Sequence, residues 1–138
     1  MKYRLLCICG LVFLVSYLPC KGQKHPSVSI LIPASASPRI QFGASRLSET
    51  LQKCGYAPKL LKQNNLPSTG RSINIGIVSD TLMLNVSKIY GQELSNPKDK
   101  EGFSISTMSD QGIVILGTDQ SGVLYGCLEL AERLKSTL

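Results

Sequence analysis

The chain has a single histidine, His25, and no Cys-x-x-Cys spacing among its five cysteines. The familiar ligand sets of zinc sites cannot be assembled from these residues. Cys7 and Cys9 fall in an apolar leader, so only Cys54 and Cys127 remain in every reading, with Cys20 depending on where the leader is cut. That is too few for a disulfide scaffold. The simpler reading makes Cys54 and Cys127 small, reduced thiols on the inner faces of two helices. A nucleophilic Cys-His pair would have to recruit His25 from the tail after the leader. Repeats and low-complexity tracts are absent. So is any apolar run of the ~20 residues that a membrane span requires, since the longest, Leu5 to Leu18, is broken by Pro19.

That run has a different meaning. Lys2 and Arg4 precede it and small residues follow, the order of a secretory signal peptide. Two exits compete. Cleavage after Gly22 uses the small side chains of Cys20 and Gly22, giving a leader at 1–22 and an exported chain from residue 23. Alternatively Cys20 is the lipid-bearing first residue of a lipoprotein, against which Pro19 weighs. Without Lys2, Arg4 and Lys21, twelve Lys and Arg face nine Asp and Glu. The remaining positive charges are scattered with no aromatic interleaving, so no nucleic-acid partner is expected. With 138 residues the chain holds one domain and is too short for a (β/α)8 barrel of about 250 residues.

Within 23–138 the pattern alternates strand and helix. "SVSILIP" is a β-branched run stopped by Pro33. Ser37 and Pro38 then open a helix whose apolar face is Ile40, Ala44, Leu47, Leu51 and Cys54, closed by Gly55. "YAPKLLK" reads as a second strand, parallel to the first through a helical crossover. "SINIGIVSD" alternates Ile73, Ile75 and Ile77 with Asn74, Gly76 and Val78, which predicts a strand with one side on a core. "TLMLNVSKIYG" is open between a short helix and a turn, and Gln92 to Glu101 reads as an exposed loop. "GFSISTM" and "IVILG" form a hairpin, with Gly112 expected at the positive-φ position of a three-residue loop. Asp119 caps a final helix with Leu124, Cys127, Leu128, Ala131 and Leu134 on its apolar face and a Glu129–Arg133 pair outside.

The turn "GTDQSG" between that strand and helix raises the question of a phosphate cradle. It lacks the Lys-Ser/Thr of a P-loop and does not match G-x-G-x-x-G. Gly117 ends the strand, Asp119 satisfies free N–H groups, and Gly122 and Gly126 sit one helical turn apart, where absent side chains let a helix lie close to a sheet. Packing accounts for the motif better than ligand binding does.

These residues also carry a likeness. Glu101, Gly102 and Phe103, then a hairpin, then Gly117, Asp119 and Gly122, then Gly122, Tyr125 and Gly126 closely resemble the end of the N-terminal accessory domain of β-hexosaminidases of family 20 and α-glucuronidases of families 67 and 115. The likeness spans most of 23–138 and is specific from about Glu101 onward. It implies an α/β (α+β) two-layer sandwich, a mixed sheet of about five strands with helices on one face, which precedes a catalytic (β/α)8 barrel. The partner it implies is that barrel; no cofactor is implied. The helix runs into "RLKSTL" without a terminating Gly or Pro, so the chain reads as cut short before the barrel. The paired carboxylates of glycoside hydrolysis belong to barrel strand ends, so no catalytic residue is carried over, and Asp99 and Glu101 read as solvated loop charges. Asn85-Val86-Ser87 matches a glycosylation sequon, a pattern common by chance. The expected function is an exported noncatalytic domain of a polysaccharide-degrading glycoside hydrolase; the alternative is a stand-alone secreted module binding a glycan or protein.

Overall fold

The computed structural model describes residues 24–67, 70–91, 94–108 and 112–137. The leader, with Cys20, and Gln92 of the exposed loop lie outside the described residues. Five strands and three helices follow in the order β1 (Ser27–Ile32), α1 (Pro38–Lys53), β2 (Ala57–Lys62), β3 (Arg71–Ile77), α2 (Thr81–Tyr90), β4 (Phe103–Thr107), β5 (Ile113–Gly117) and α3 (Gln120–Lys135). The strands form one mixed sheet, β2-β1-β3-β5-β4, parallel except for the antiparallel β4–β5 hairpin. This is the expected α/β sandwich.

Strand alternation decides which helix covers which face. Val28, Ile30 and Ile32 of β1, Ile73 and Ile75 of β3 and Ile115 of β5 point to one side, where Ala44 and Leu47 of α1 and Val123 and Cys127 of α3 meet them. Leu31, Val114 and Leu116 point to the other, against Leu82, Met83 and Val86 of α2. Placement of helices on one face therefore describes α1 and α3, while α2 lies on the opposite face.

That second layer corrects the reading of β3 as one-sided. Asn74 is fully buried and Ser72 nearly so, and a β-carbon on Gly76 would stand 3.1 Å from Cγ of Met83. The small residue at Gly76 lets α2 lie close on this side, and the Asn74 Nδ2 donates to Ser72 Oγ at 3.2 Å while its buried Oδ1 has no partner among the described residues. The segment left open between helix and turn is a ten-residue helix, α2, ended by Gly91 at φ 60°.

Both N-caps fall where the sequence puts them: Ser37 Oγ accepts from Ile40 N–H and the Asp119 carboxylate from Ser121 and Gly122 N–H. Gly112 does not take the positive-φ place expected of it; among the described glycines that conformation belongs to Gly55, Gly70 and Gly91. Met108 N–H donates to Gly112 O at 2.7 Å, so Gly112 is the last rung of the β4–β5 ladder rather than part of the turn. The turn itself lies outside the described residues.

Candidate functional site

The residues that carry the likeness converge on one place, the junction of the β5–α3 turn with the foot of β4. One Asp119 oxygen accepts the N–H groups of Ser121 and Gly122, both at 2.9 Å, while the other accepts the N–H of Glu101 at 3.0 Å. Thr118 N–H donates to Gly102 O at 3.0 Å, and its hydroxyl donates to Asp99 O at 2.9 Å. The Gly102 N–H returns to Asp99 O at 2.9 Å, closing a tight turn in which Glu101 adopts φ 58°. These bonds to the charged form, from Gly122 first and then Glu101, hold the Asp119 carboxyl below the ordinary value of 3.8; Ser121 and Lys100 add to the effect and desolvation opposes it.

Glycine spacing follows from the same junction. Gly122 lies directly against the Gly102 carbonyl, and Gly117 against the backbone of Val123, where an added β-carbon would come 2.5 Å from the Val123 nitrogen. On the next turn of α3 a β-carbon on Gly126 would stand 2.5 Å from Cγ2 of Ile115 and 3.3 Å from the Phe103 ring. Gly102, Phe103, Gly117, Asp119, Gly122 and Gly126 thus form one packed unit. Tyr125 stands apart from it, 45% exposed on the outer side of α3. Sequence reasoning passed over Gly43, which plays the same part between helices: a β-carbon there would sit 3.2 Å from Cβ of Cys127. Its position on the apolar stripe beside Ala44 and Leu47 was the available signal.

The arrangement disfavours an anion at the α3 N-terminus. The N–H groups that would receive a phosphate are already bound to a carboxylate. Other carboxylates are similarly engaged. Glu49 and Glu132 line a common groove between α1 and α3, but each is paired with a cation of its own helix, Arg46 at 3.1 Å and Lys135 at 2.6 Å. Asp80 Oδ2 accepts the Ile77 N–H at 2.8 Å. Among the described residues no group of three or more His, Cys, Asp or Glu could hold a metal ion, and no helix is long and apolar enough to cross a membrane. Asn85 of the sequon lies inside α2, its amide nitrogen donating to Asn64 O at 2.9 Å.

Among the described residues, apolar side chains stand exposed on both helix layers. The outer face of α1 and α3 presents Phe42, Tyr125 and Leu128, with the Arg46 guanidinium 5.2 Å from the Phe42 ring centre. Beyond the opposite face, Leu84 and Ile89 of α2 project outward.

No protein-family model matches the sequence, and no curated protein matches it. Solved structures do. A GH138 enzyme targeting pectin rhamnogalacturonan II shares 25% identity at a TM-score of 0.58, over 80% of this chain and 14% of that one. BtGH115A, a GH115 4-O-methyl-α-glucuronidase with specificity for decorated arabinogalactans, matches at 23% identity and TM-score 0.62, again over 80% of this chain and 14% of its own. CpGH84D matches at 15% identity and TM-score 0.59, over 78% of this chain and 17% of its own. The chain spans about a seventh of the length of the first two structures, and it resembles a small domain of larger glycoside hydrolases.

Proposed function

We propose that the chain is an exported, noncatalytic accessory domain of a polysaccharide-degrading glycoside hydrolase, whose task is to pack on and orient a catalytic (β/α)8 barrel lying outside residues 1–138. The observation that carries this reading is the coverage: 78–80% of this chain finds a counterpart in three glycoside hydrolases, and in each the match is only 14–17% of the chain. Two features support it. Apart from Tyr125, the residues of the motif are engaged in holding β4, β5 and α3 together, which supports a packing role. The exposed side chains of Phe42, Tyr125 and Leu128 stand beside the Arg46–Glu49 and Lys135–Glu132 pairs and give the helix layer a mixed outer face that a neighbouring domain can cover. Export rests on the charged, apolar and small-residue order of 1–22, with cleavage after Gly22 and lipidation at Cys20 distinguished by N-terminal sequencing and mass of the product.

The test is an assay of the purified chain on aryl β-N-acetylhexosaminides and on aryl and oligosaccharide α-glucuronides. The reading predicts no turnover. Turnover that persists after host glycosidases are removed overturns it.

A further inference from the structure

The two edges of the sheet are built differently. β2, at one edge, carries Pro58, Lys59 and Lys62 within six residues. Proline and lysine are the standard means of preventing a further strand from pairing. β4, at the other edge, reads Phe-Ser-Ile-Ser-Thr and has neither.

The hydrogen-bond phase shows what that edge presents. Thr118 N–H bonds to Gly102 O, and Met108 N–H bonds to Gly112 O. In the β4–β5 register these are bonded rungs at either end of the strand. Bonded and non-bonded rungs alternate in an antiparallel pair, so Ser104 and Ser106 bond inward to β5. The N–H and C=O groups of Phe103, Ile105 and Thr107 then face out from the sheet, with no partner among the described residues. The nearby Ser104 hydroxyl donates to Ser95 O at 2.6 Å, a side-chain contact that leaves the outward backbone free. Phe103 and Ile105 are only half-buried, although both lie on the face that packs against α3.

We propose that β4 is a pairing edge whose occupant is β4 of a second copy of this chain, antiparallel and related by a twofold axis through Ile105. The segment is self-complementary about that residue. Ile105 meets its own copy, Phe103 meets Thr107 of the other protomer, and each of these rungs exchanges two backbone bonds. Serine falls opposite serine between them, and no charge is brought against a like charge. The two five-stranded sheets become continuous, and the half-exposed Phe103 and Ile105 gain cross-strand neighbours. This inference is independent of the accessory-domain reading.

The experiment is light scattering on the purified chain over a concentration series to about 1 mM, since a single strand pair buries a small interface, together with amide hydrogen exchange at the same concentrations. The expected result is a rise to twice the chain mass, with exchange at Phe103, Ile105 and Thr107 slowing at least about tenfold as the dimer forms. Thr107→Pro removes an outward donor without touching the β5 ladder and should hold the mass at one chain. A mass of one chain throughout, or a dimer in which those three amides exchange as fast as in the dilute protein, overturns the proposal. The exchange result on the parent chain decides the matter even if a variant fails to fold.

Discussion

Gly122, in the first turn of α3, rests against the carbonyl of Gly102 at the foot of β4, with no space for a β-carbon between them. The contact is backbone to backbone, so no rotamer change can relieve a larger residue. Gly122→Ala should therefore lower the denaturant midpoint, by an amount in the about 1–3 kcal/mol range of overpacking, despite alanine's better helix propensity. Equilibrium urea unfolding checks it; a midpoint equal to the parent's would show that the junction yields.

Gly126 tests the same closeness against a side chain. Its β-carbon would meet Ile115 Cγ2 at 2.5 Å and the Phe103 ring at 3.3 Å. Ile115 is branched, fully buried and fixed in the sheet, so it has little freedom to withdraw. Gly126→Val should lose more by overpacking, about 1–3 kcal/mol, than it gains in helix propensity, which is less than ~1 kcal/mol because valine is itself a poorer helix former than alanine. A Val variant as stable as the parent would reopen a ligand role for the turn.

Asp119 predicts an acid-sensitive junction. Its folded pKa lies below the ordinary 3.8 because its charged form accepts backbone N–H groups, that of Gly122 foremost. A depressed carboxylate stabilises the fold above its unfolded pKa, and that contribution is lost as pH falls through the folded value. The parent's urea midpoint should therefore drop more steeply than that of Asp119→Asn as pH is lowered from 3.8. Parallel curves for the two proteins would contradict the assignment.

The structure separates the two thiols. Cys127 is fully buried between α1, α3 and the sheet, and burial pushes its thiol up to about 12. Cys54 is half-buried at the end of α1, its Sγ 4.0 Å from Leu134 O, and both cysteines are free. Native alkylation followed by mass spectrometry should label Cys54 first and Cys127 only in denaturant. Equal native rates, or a disulfide between them, would be the contrary result.

What the sequence discloses here depends on whether a signal is local. Ser37 and Asp119 cap helices through residues two or three positions away, and the helix spacing around Leu47 and Cys127 is equally local, so these features can be read directly. The burial of Asn74 and Gly76 is set by α2, which approaches from elsewhere in the chain, and a polar or small residue in an alternating strand looks the same whether water or a helix faces it. Gly112 shows the same limit: its role depends on how far the β4–β5 ladder runs. The order Glu101-Gly102 and Gly117-Asp119-Gly122 was visible as a pattern, whereas the bond from Glu101 N–H to Asp119 that joins its halves required the fold.

The central claim is that this fold serves a larger glycoside hydrolase, and the most direct measurement is the nucleotide sequence of the locus beyond codon 138. The account predicts a reading frame, continuous with this one or restored by a single interruption, that encodes a (β/α)8 barrel with paired carboxylates at its strand ends. A downstream region with no such barrel would contradict it.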